Sequence, residues 1–572
     1  MSWQETLKKW TSFAALDEAL LKQLNEVVKD EKEVEDAFYK NLTFGTGGMR
    51  GVLGPGTNRM NIYTVRKAVE GLSLYIKENV QHCEERGVAI AYDSRYMSQE
   101  FAIEAARVLG SHGIKAYVFE SLRPTPLLSF AVRYLHAAAG IMITASHNPP
   151  EYNGFKVYNE DGGQVPLKEA AAIIEKVDLV ADELSVNVAE QKDLEANGLL
   201  TWVGEKVDKA YLQALKGLQK QENASDDLTI VFTPLHGTSH DLVLAGLNQV
   251  GFTNVHVVRE QANPDPEFRT VESPNPEEHQ AFTMAIEQGQ AINADILIGT
   301  DPDADRLGVA VIDANGAYQV LTGNQLGTLM LDYTLSHLSE EERKNGKLIK
   351  TIVTTEMGRT VAKSYGVDTI DTLTGFKFIG EKIKEFESTE EHYLFGFEES
   401  YGFLIGDFVR DKDAVQAAIV ACEMANYWKK QGKTLLQALD GLYEQHGYYL
   451  EGMKSLTLKG KDGAEQIATI MEDIRANPFT ELGGLKVLAV EDYDTSNRTL
   501  LVEDKNEIIE LPKENVMKFI LEEDAWVCFR PSGTEPKIKS YFGVKTTEET
   551  KSKDLLQAIQ SQVEERINQI IA

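Results

Sequence analysis

Short apolar runs alternate with helix-length amphipathic stretches through most of this chain, and that alternation limits the fold more than any other feature of the sequence. Helical periods at 65–79 and 99–109 precede the runs at 88–93 and 115–119, and a further run follows at 137–144. Runs this short between longer 3.6-residue periods predict buried strands joined by helices, an α/β layer. A second layer is expected from strands at 228–232, 255–258 and 295–298, after a polar stretch at 219–227. A third runs from about Tyr318 through strands at 350–353 and 393–396 to a buried helix over 414–427. Beyond about Tyr448 the pattern changes to alternating strands such as 453–458 and 526–529, closed by a helix over 551–571, which predicts an α+β domain. No fixed-period repeat is present, which argues against a solenoid. A charged amphipathic helix is expected over 16–40. The predicted domains are 1–205, 206–319, 320–447 and 448–572.

Charge and cysteine usage narrow the function classes. Against 58 Lys and Arg stand 89 Asp and Glu, a net charge of -31, which argues against nucleic acid or an anionic membrane surface as partner. Cys83, Cys422 and Cys528 are scattered and form no CxxC pair, so neither a disulfide framework nor a thiolate zinc site is expected. No stretch approaches the ~20 apolar residues that span a bilayer. A soluble, cytoplasmic protein is expected. An acidic protein that handled an anionic substrate would have to gather positive charge locally, which can be looked for in the motifs.

Several loops carry chemistry. The glycine-rich Phe44-Gly-Thr-Gly-Gly-Met-Arg-Gly51 is not a dinucleotide turn, since a GxGxxG starting at Gly45 would need glycine at Arg50. The run ending at Thr144 opens into Ala-Ser-His-Asn-Pro149, setting Ser146 and His147 at a strand end, where open α/β sheets bind ligands. An ordinary Ser/Asn/Pro turn is the alternative there, and the nucleophile-elbow spacing fails, because Thr144 and Asn148 stand where it needs glycines. Thr300-Asp-Pro-Asp-Ala-Asp-Arg306 sets Asp301, Asp303 and Asp305 at alternate positions, so that in an extended loop they converge on one hard cation; a solvated acidic turn is the other reading. An all-oxygen set suits Mg²⁺, and an EF-hand is excluded by Arg306 at the sixth position. His236 and His240 are i,i+4, but Gly237 between them argues against a zinc helix. Thr374-Gly-Phe-Lys377, Gly396-Phe-Glu-Glu-Ser-Tyr-Gly402 and Arg410-Asp-Lys412 offer a lysine, carboxylates with a hydroxyl, and cations, each of which also suits a plain surface turn. Phe529-Arg-Pro-Ser-Gly-Thr534 presents a guanidinium, hydroxyls and free N–H groups suited to a phosphate dianion. No Walker lysine pattern occurs.

Taken together, these motifs resemble those of the α-D-phosphohexomutase family, most closely its bacterial-type phosphoglucomutase branch, over nearly the whole chain and in the family's order. The resemblance implies three related α/β domains plus a smaller C-terminal α+β domain around a central cleft. It implies Ser146 as phosphoryl carrier and metal ligand, with Asp301, Asp303 and Asp305 holding Mg²⁺ and Arg306 beside it. Arg50, His147 and Lys156 are the expected catalytic companions. Gly375, Lys377, Glu398, Ser400, Arg410 and Lys412 would bind the sugar phosphate, and Arg530, Ser532, Gly533 and Thr534 the phosphate that is not reacting. Lys539 departs from relatives, which often carry arginine there, and a lysine lacks the bidentate fork. The implied activity interconverts glucose 1-phosphate and glucose 6-phosphate through a phosphoserine and glucose 1,6-bisphosphate, which also acts as activator. A phosphopentomutase or phosphomannomutase of the same family is the alternative. A metal-dependent sugar phosphatase would use the serine and aspartates without a second phosphate site, and a non-catalytic sugar-phosphate binder would need no aspartates beside a serine. A sugar monophosphate is the expected partner; the sequence leaves the oligomeric state open.

Overall fold

The computed structural model describes residues 2–45, 47–221, 227–458, 460–532 and 537–571. The chain divides into two compact units, one of Met1–Thr322, Phe376–Gly396 and Ser400–Gly432, the other of Gly323–Gly375, Phe397–Glu399 and Lys433–Ala572.

The first unit contains two mixed sheets. One has six strands in the order Gly48–Val52, Tyr152–Tyr158, Ala139–Ile143, Val88–Tyr92, Ala116–Phe119 and Leu200–Val203. The last four run parallel, and their fully buried Val, Ile and Ala residues give the continuous apolar runs seen in the sequence. Tyr152–Tyr158 returns antiparallel beside Ala139–Ile143, and the glycine-rich segment pairs antiparallel with it as Gly48–Val52. The sequence reading had both as loops; the ladder forms because Phe155 and Val157 bury their side chains in the core. The second sheet runs Tyr318–Val320, Leu307–Ile312, Ile296–Thr300, Ile230–Thr233 and Val255–Val257, again parallel at its centre and antiparallel on one side.

The expected helix over 16–40 is instead two, Glu18–Val27 and Glu31–Phe38. Asp30 separates them because its carboxylate accepts from Lys32 N and Glu33 N, capping the second. With Trp3–Ser12 they pack around Trp10, Phe38 and Tyr63.

In the second unit, the strand expected at 350–353 runs instead over Gly346–Thr351, and it pairs in parallel with Asp368–Thr372, a strand the sequence reading did not mark. The C-terminal part is an antiparallel sheet in the order Tyr448–Thr457, Lys537–Thr546, Trp526–Pro531, Met517–Leu521, Leu485–Asp492, Asn497–Leu500 and Lys505–Ile508. Ile467, Ile470 and Ile474 of Gly460–Ala476 and Ile559, Val563 and Ile567 of Glu549–Ile571 cover it, which bears out the change to α+β structure. Cys83, Cys422 and Cys528 are free and buried. Among the described residues, no helix is long and apolar enough to cross a membrane.

Candidate active site

Two loops of the first unit share one geometry: each leaves the C-terminal end of a parallel strand and returns antiparallel. Ala139–Ile143 leads into the Ser146 loop and back along Tyr152–Tyr158, while Ile296–Thr300 leads into the aspartate loop and back along Leu307–Ile312. The tight reversals need residues at positive φ, and Ser146 (φ 52°) and Ala304 (φ 53°) take those positions. For a serine this is an uncommon backbone state, held here by the Thr144 hydroxyl accepting from Ser146 N at 2.8 Å.

The two loops meet at the serine. Ser146 Oγ donates to Asp301 Oδ2 at 2.6 Å and lies 3.2 Å from His147 Nδ1. The other Asp301 oxygen accepts from the backbone N–H groups of Asp305 and Arg306, each at 3.0 Å. Lys156, on the returning strand, reaches Asp303 at 2.8 Å and Asp305 at 3.5 Å, and Lys412 reaches Asp305 at 3.2 Å. Arg306 pairs with Glu277 and lies 3.8 Å from Asp305. Arg50 stands exposed on Gly48–Val52 and donates to Asn148 Oδ1 at 2.7 Å. The structure thus brings together Ser146, His147, Arg50, Lys156, Asp301, Asp303, Asp305, Arg306 and Lys412, drawn from segments some 360 residues apart in the sequence.

All three aspartates are buried, and their electrostatics differ accordingly. Burial and the charges of Asp303 and Asp305 push Asp301 well above the usual carboxylate range. Burial acts the same way on Asp303, but the Lys156 ammonium and the hydrogen bonds it receives outweigh it and hold that carboxyl far below the usual range. Burial, then Arg306 and Arg50, lowers His147 to about 3, so the ring beside the serine is neutral at pH 7. One oxygen from each aspartate lies within 4.8 Å of the others, and Asp303 Oδ1 and Asp305 Oδ1 are buried with no hydrogen-bond partner. Three buried carboxylates with oxygens this close together, two of them with an unpartnered oxygen and none accompanied by a nitrogen or sulfur donor, fit a hard divalent cation such as Mg²⁺. His236 and His240 do not form a zinc pair: His236 is buried against Asn263 O and Thr270 Oγ1, and His240 pairs with Asp241.

Other expected site residues sit elsewhere. Arg410 is almost wholly buried, with Nε on Asp161 at 2.9 Å and Nη2 on Glu387 at 2.6 Å. Lys377 opens the helix Phe376–Phe386, its ammonium 5.0 Å from the Phe378 ring centroid, and Ser400 is half-buried. In the second unit, Glu398 Oε1 accepts from Gly375 N at 2.9 Å, joining two of the expected sugar-binding positions. Glu399 accepts from the Thr351 and Thr354 hydroxyls, each at 3.4 Å. Arg530 lies near the end of Trp526–Pro531 with Nε on Glu514 at 3.2 Å, and it is register partner to Lys539, so the two cations share one face. Ser532 N donates to Lys537 O at 2.7 Å. Gly533 and Thr534 lie outside the described residues.

Two residues were missed by sequence reasoning. Buried Arg95 donates to the carbonyls of Ser146 (2.6 Å), Asn148, Pro149 (2.8 Å) and Tyr152 (3.0 Å), and so shapes the serine loop. Thr125 holds the aspartate loop, its hydroxyl donating to Asp303 Oδ2 and its N–H to Asp303 O, both at 2.9 Å. Arg95 follows the strand Val88–Tyr92 at the same sheet end as Ser146, a position that could have flagged it; Thr125, at the start of a helix, carries no such signal.

Consecutive stretches of the chain match the four domains of the phosphoglucomutase/phosphomannomutase family: α/β/α domain I at 41–182, II at 209–315, III at 322–446, and the C-terminal domain at 485–563. The chain belongs to this family. It is 41% identical over 529 residues to a phosphoglucomutase of Staphylococcus epidermidis, covering 92% of this chain and 95% of the relative. It is 39% identical over 540 residues to one from Staphylococcus aureus, covering 94% and 96%. Parafusin, a Paramecium phosphoglucomutase solved in an open form, shares the fold at a TM-score of 0.65 and 16% identity, covering 93% of this chain and 95% of its own.

Proposed function

We propose that the chain interconverts glucose 1-phosphate and glucose 6-phosphate, with Ser146 as phosphoryl carrier and glucose 1,6-bisphosphate as intermediate and activator. The observation that carries this reading is the serine: a strand-end hydroxyl 2.6 Å from Asp301, among buried aspartates and lysines. The identity to phosphoglucomutases across nine-tenths of the chain supports it. In the first half-reaction the bond between phosphorus and Ser146 Oγ breaks as a sugar hydroxyl oxygen bonds to phosphorus. The hydroxyl proton leaves to a base of the site, and the serine oxygen keeps the electron pair of the broken bond. The bisphosphate turns round and returns its other phosphoryl to Ser146 by the reverse chemistry. Mg²⁺ held by Asp301, Asp303, Asp305 and the phosphoserine would supply positive charge to the phosphoryl oxygens.

Arg50 and Lys156 flank the serine and offset charge there. Arg306 holds the aspartate loop through its N–H on Asp301. His147, neutral, keeps the serine pocket from adding a further cation. Lys377, Gly375, Glu398, Ser400, Arg410 and Lys412 make up the sugar-phosphate set, in which the burial of Arg410 favours a supporting part over direct contact. Arg530 and Ser532, with Gly533 and Thr534, hold the non-reacting phosphate. Free, buried cysteines suit a reducing cytoplasm.

The test follows glucose 6-phosphate formation from glucose 1-phosphate with trace bisphosphate, beside mannose and pentose 1-phosphates, and reads intact mass for a phosphoryl on Ser146. Glucose should give the highest kcat/KM, and Ser146→Ala should lose both the phosphoryl and the activity. Full mutase activity in Ser146→Ala, or release of inorganic phosphate in place of the isomer, overturns the reading.

A further inference from the structure

Lys412 lies 3.2 Å from Asp305 Oδ2 and equally 3.2 Å from Asp411 Oδ1. Its ammonium is therefore shared between an aspartate of the candidate metal set and a neighbouring carboxylate that is not part of it. Asp411 is itself fixed. Its Oδ1 also accepts from Lys412 N at 2.8 Å, and its Oδ2 accepts from the Tyr158 hydroxyl at 2.7 Å. Tyr158 and Asp411 are both buried, so the hydroxyl's loss would leave a carboxylate oxygen without its partner in a place water does not supply one.

Tyr158 sits two residues after Lys156 on the strand Tyr152–Tyr158. Side chains at i and i+2 of a strand share a face. One face therefore sends Lys156 to Asp303 and Asp305, and Tyr158 to Asp411, which steers Lys412 toward the same Asp305. The register partner of Tyr158 is Gly140, where a Cβ would come 2.6 Å from Val132 Cγ2 and 3.1 Å from Tyr158 Cβ, so the neighbouring strand has little room for a side chain beside the tyrosine. Tyr158 is also among the residues that line a cavity of about 120 Å³, with Tyr75, Glu169 and Lys384. The hydrogen bond to Asp411 fixes the end of its side chain. Burial and the adjacent Asp411 keep the phenol protonated, so it remains a donor.

We infer that Tyr158 and Asp411 are positioning residues for Lys412: they hold its ammonium midway between Asp305 and Asp411, so that its charge is divided between two carboxylates rather than committed to the metal set, and a cation and a phosphate oxygen can both be accommodated there. Without the second anchor, the whole of that charge falls to Asp305 and competes with a metal ion. This rests on the proposed function for the part Lys412 plays in turnover, but the geometric coupling is independent of it.

The test is a double-mutant cycle on the full chain, with Tyr158→Phe and Lys412→Ala singly and together, read by kcat, by KM for glucose 1-phosphate and by Mg²⁺ affinity from calorimetry. Tyr158→Phe should lower kcat roughly 5- to 20-fold with KM changed less than about twofold, and weaken Mg²⁺ several-fold. In the Lys412→Ala background the same change should do nothing further to either quantity, since the residue it positions is gone. Asp411→Asn, which keeps the shape and an acceptor for the tyrosine, should repeat the pattern and guards against a folding defect in Tyr158→Phe. Losses that multiply in the double variant, or a Tyr158→Phe enzyme with unchanged kcat and Mg²⁺ affinity, overturn the inference. A Mg²⁺ cycle showing the coupling in a chain without mutase activity supports the positioning and instead removes the functional reading.

Discussion

Ser146 and Arg530 both stand at strand ends, yet they are held by different means. Around Ser146 the chain gathers charge from segments remote in sequence: Asp301, Asp303 and Asp305 are buried, the part-buried Lys156 and Lys412 lie against them, and the loop carbonyls are pinned by Arg95. Arg530 is held locally, by Glu514 sixteen residues before it and by the hairpin that sets Lys539 opposite, and about a quarter of its side chain stays exposed. The contrast follows from the two tasks proposed. A group that forms and breaks covalent bonds must be placed against fixed charges in a medium that does not screen them, whereas an anchor for an incoming dianion must stay reachable. If this is right, damage at the first site should abolish the chemistry and damage at the second should weaken the grip.

The largest effect should come from Asp301, Asp303 and Asp305. Changing all three to Asn removes the charge that the lysines balance and the oxygens that fit a cation, and kcat should fall on the order of 1000-fold or more. Chelation should silence the wild type and Mg²⁺ should restore it. A triple variant with wild-type kcat would show that the buried charge serves the fold alone.

Next in size is Arg530→Ala. Loss of a charge-assisted contact to a partly desolvated phosphate should cost roughly 2–4 kcal/mol in transition-state binding, about 30- to 1000-fold in kcat/KM. The bisphosphate should also escape before it turns, so that turnover comes to depend on added glucose 1,6-bisphosphate. Kinetics with and without the activator decide the matter; unchanged kcat/KM would make the loop structural.

The same contrast explains what could be read from the sequence. The parallel strands were legible because burial on both faces writes a continuous apolar run, as in Val88–Tyr92, and Ser146 and the aspartates were legible because they follow such runs directly. Tyr152–Tyr158 was not, since its residues Tyr, Asn, Gly and Lys give no strand pattern and its place is set by partners on both sides. Thr125 was hidden for a related reason, since it acts through contacts made only after distant segments meet, whereas the strand-end position of Arg95 could have flagged it. Arg410 was legible as a cation but not as a buried one, because Asp161 and Glu387, which neutralise it, lie far from it in the sequence.

A smaller effect should separate placement from charge within the first site. The segment 233–239 backs the aspartate loop: Thr238 donates from its N–H and its hydroxyl to Pro302 O, both at 2.9 Å, and Ser239 bonds to Thr300 at 2.6 Å. A Cβ on Gly237 would lie 2.4 Å from Pro302 Cα and 2.5 Å from Pro302 O, which is backbone and cannot swing aside. Gly237→Ala should therefore shift the loop between Asp301 and Asp303 without altering any charge. A loss of about 10-fold in kcat is expected, with weaker Mg²⁺ affinity and little change in KM. Equal kcat in variant and wild type would mean the loop tolerates the displacement and that charge outweighs placement.

The last effect is on stability and leaves turnover untouched: it concerns what burying carboxylates costs the fold. Asp413 caps the helix Ala414–Lys430, accepting from Val415 N and Gln416 N at 3.0 Å each, and the Tyr211 hydroxyl lies 2.7–2.8 Å from its oxygens. It is fully buried, and that burial raises its carboxyl to about 6 despite these hydrogen bonds. A carboxyl whose folded pKa is raised binds more protons in the folded state than in the unfolded one between its two pKa values. Its contribution to stability is thus complete below about pH 4, declines as pH rises to about 6, and is lost above that, by roughly 2–3 kcal/mol. Asp413→Asn keeps acceptors for the helix N–H groups and the tyrosine but does not titrate. Urea midpoints should place the variant below wild type at pH 4.5 and bring it closer to, or above, wild type at pH 7. A difference that stays the same at both pH values would mean that Asp413 is ionised throughout, its charge met by the helix N-terminus and Tyr211, and that even a fully buried carboxylate in this unit is compensated without a lysine.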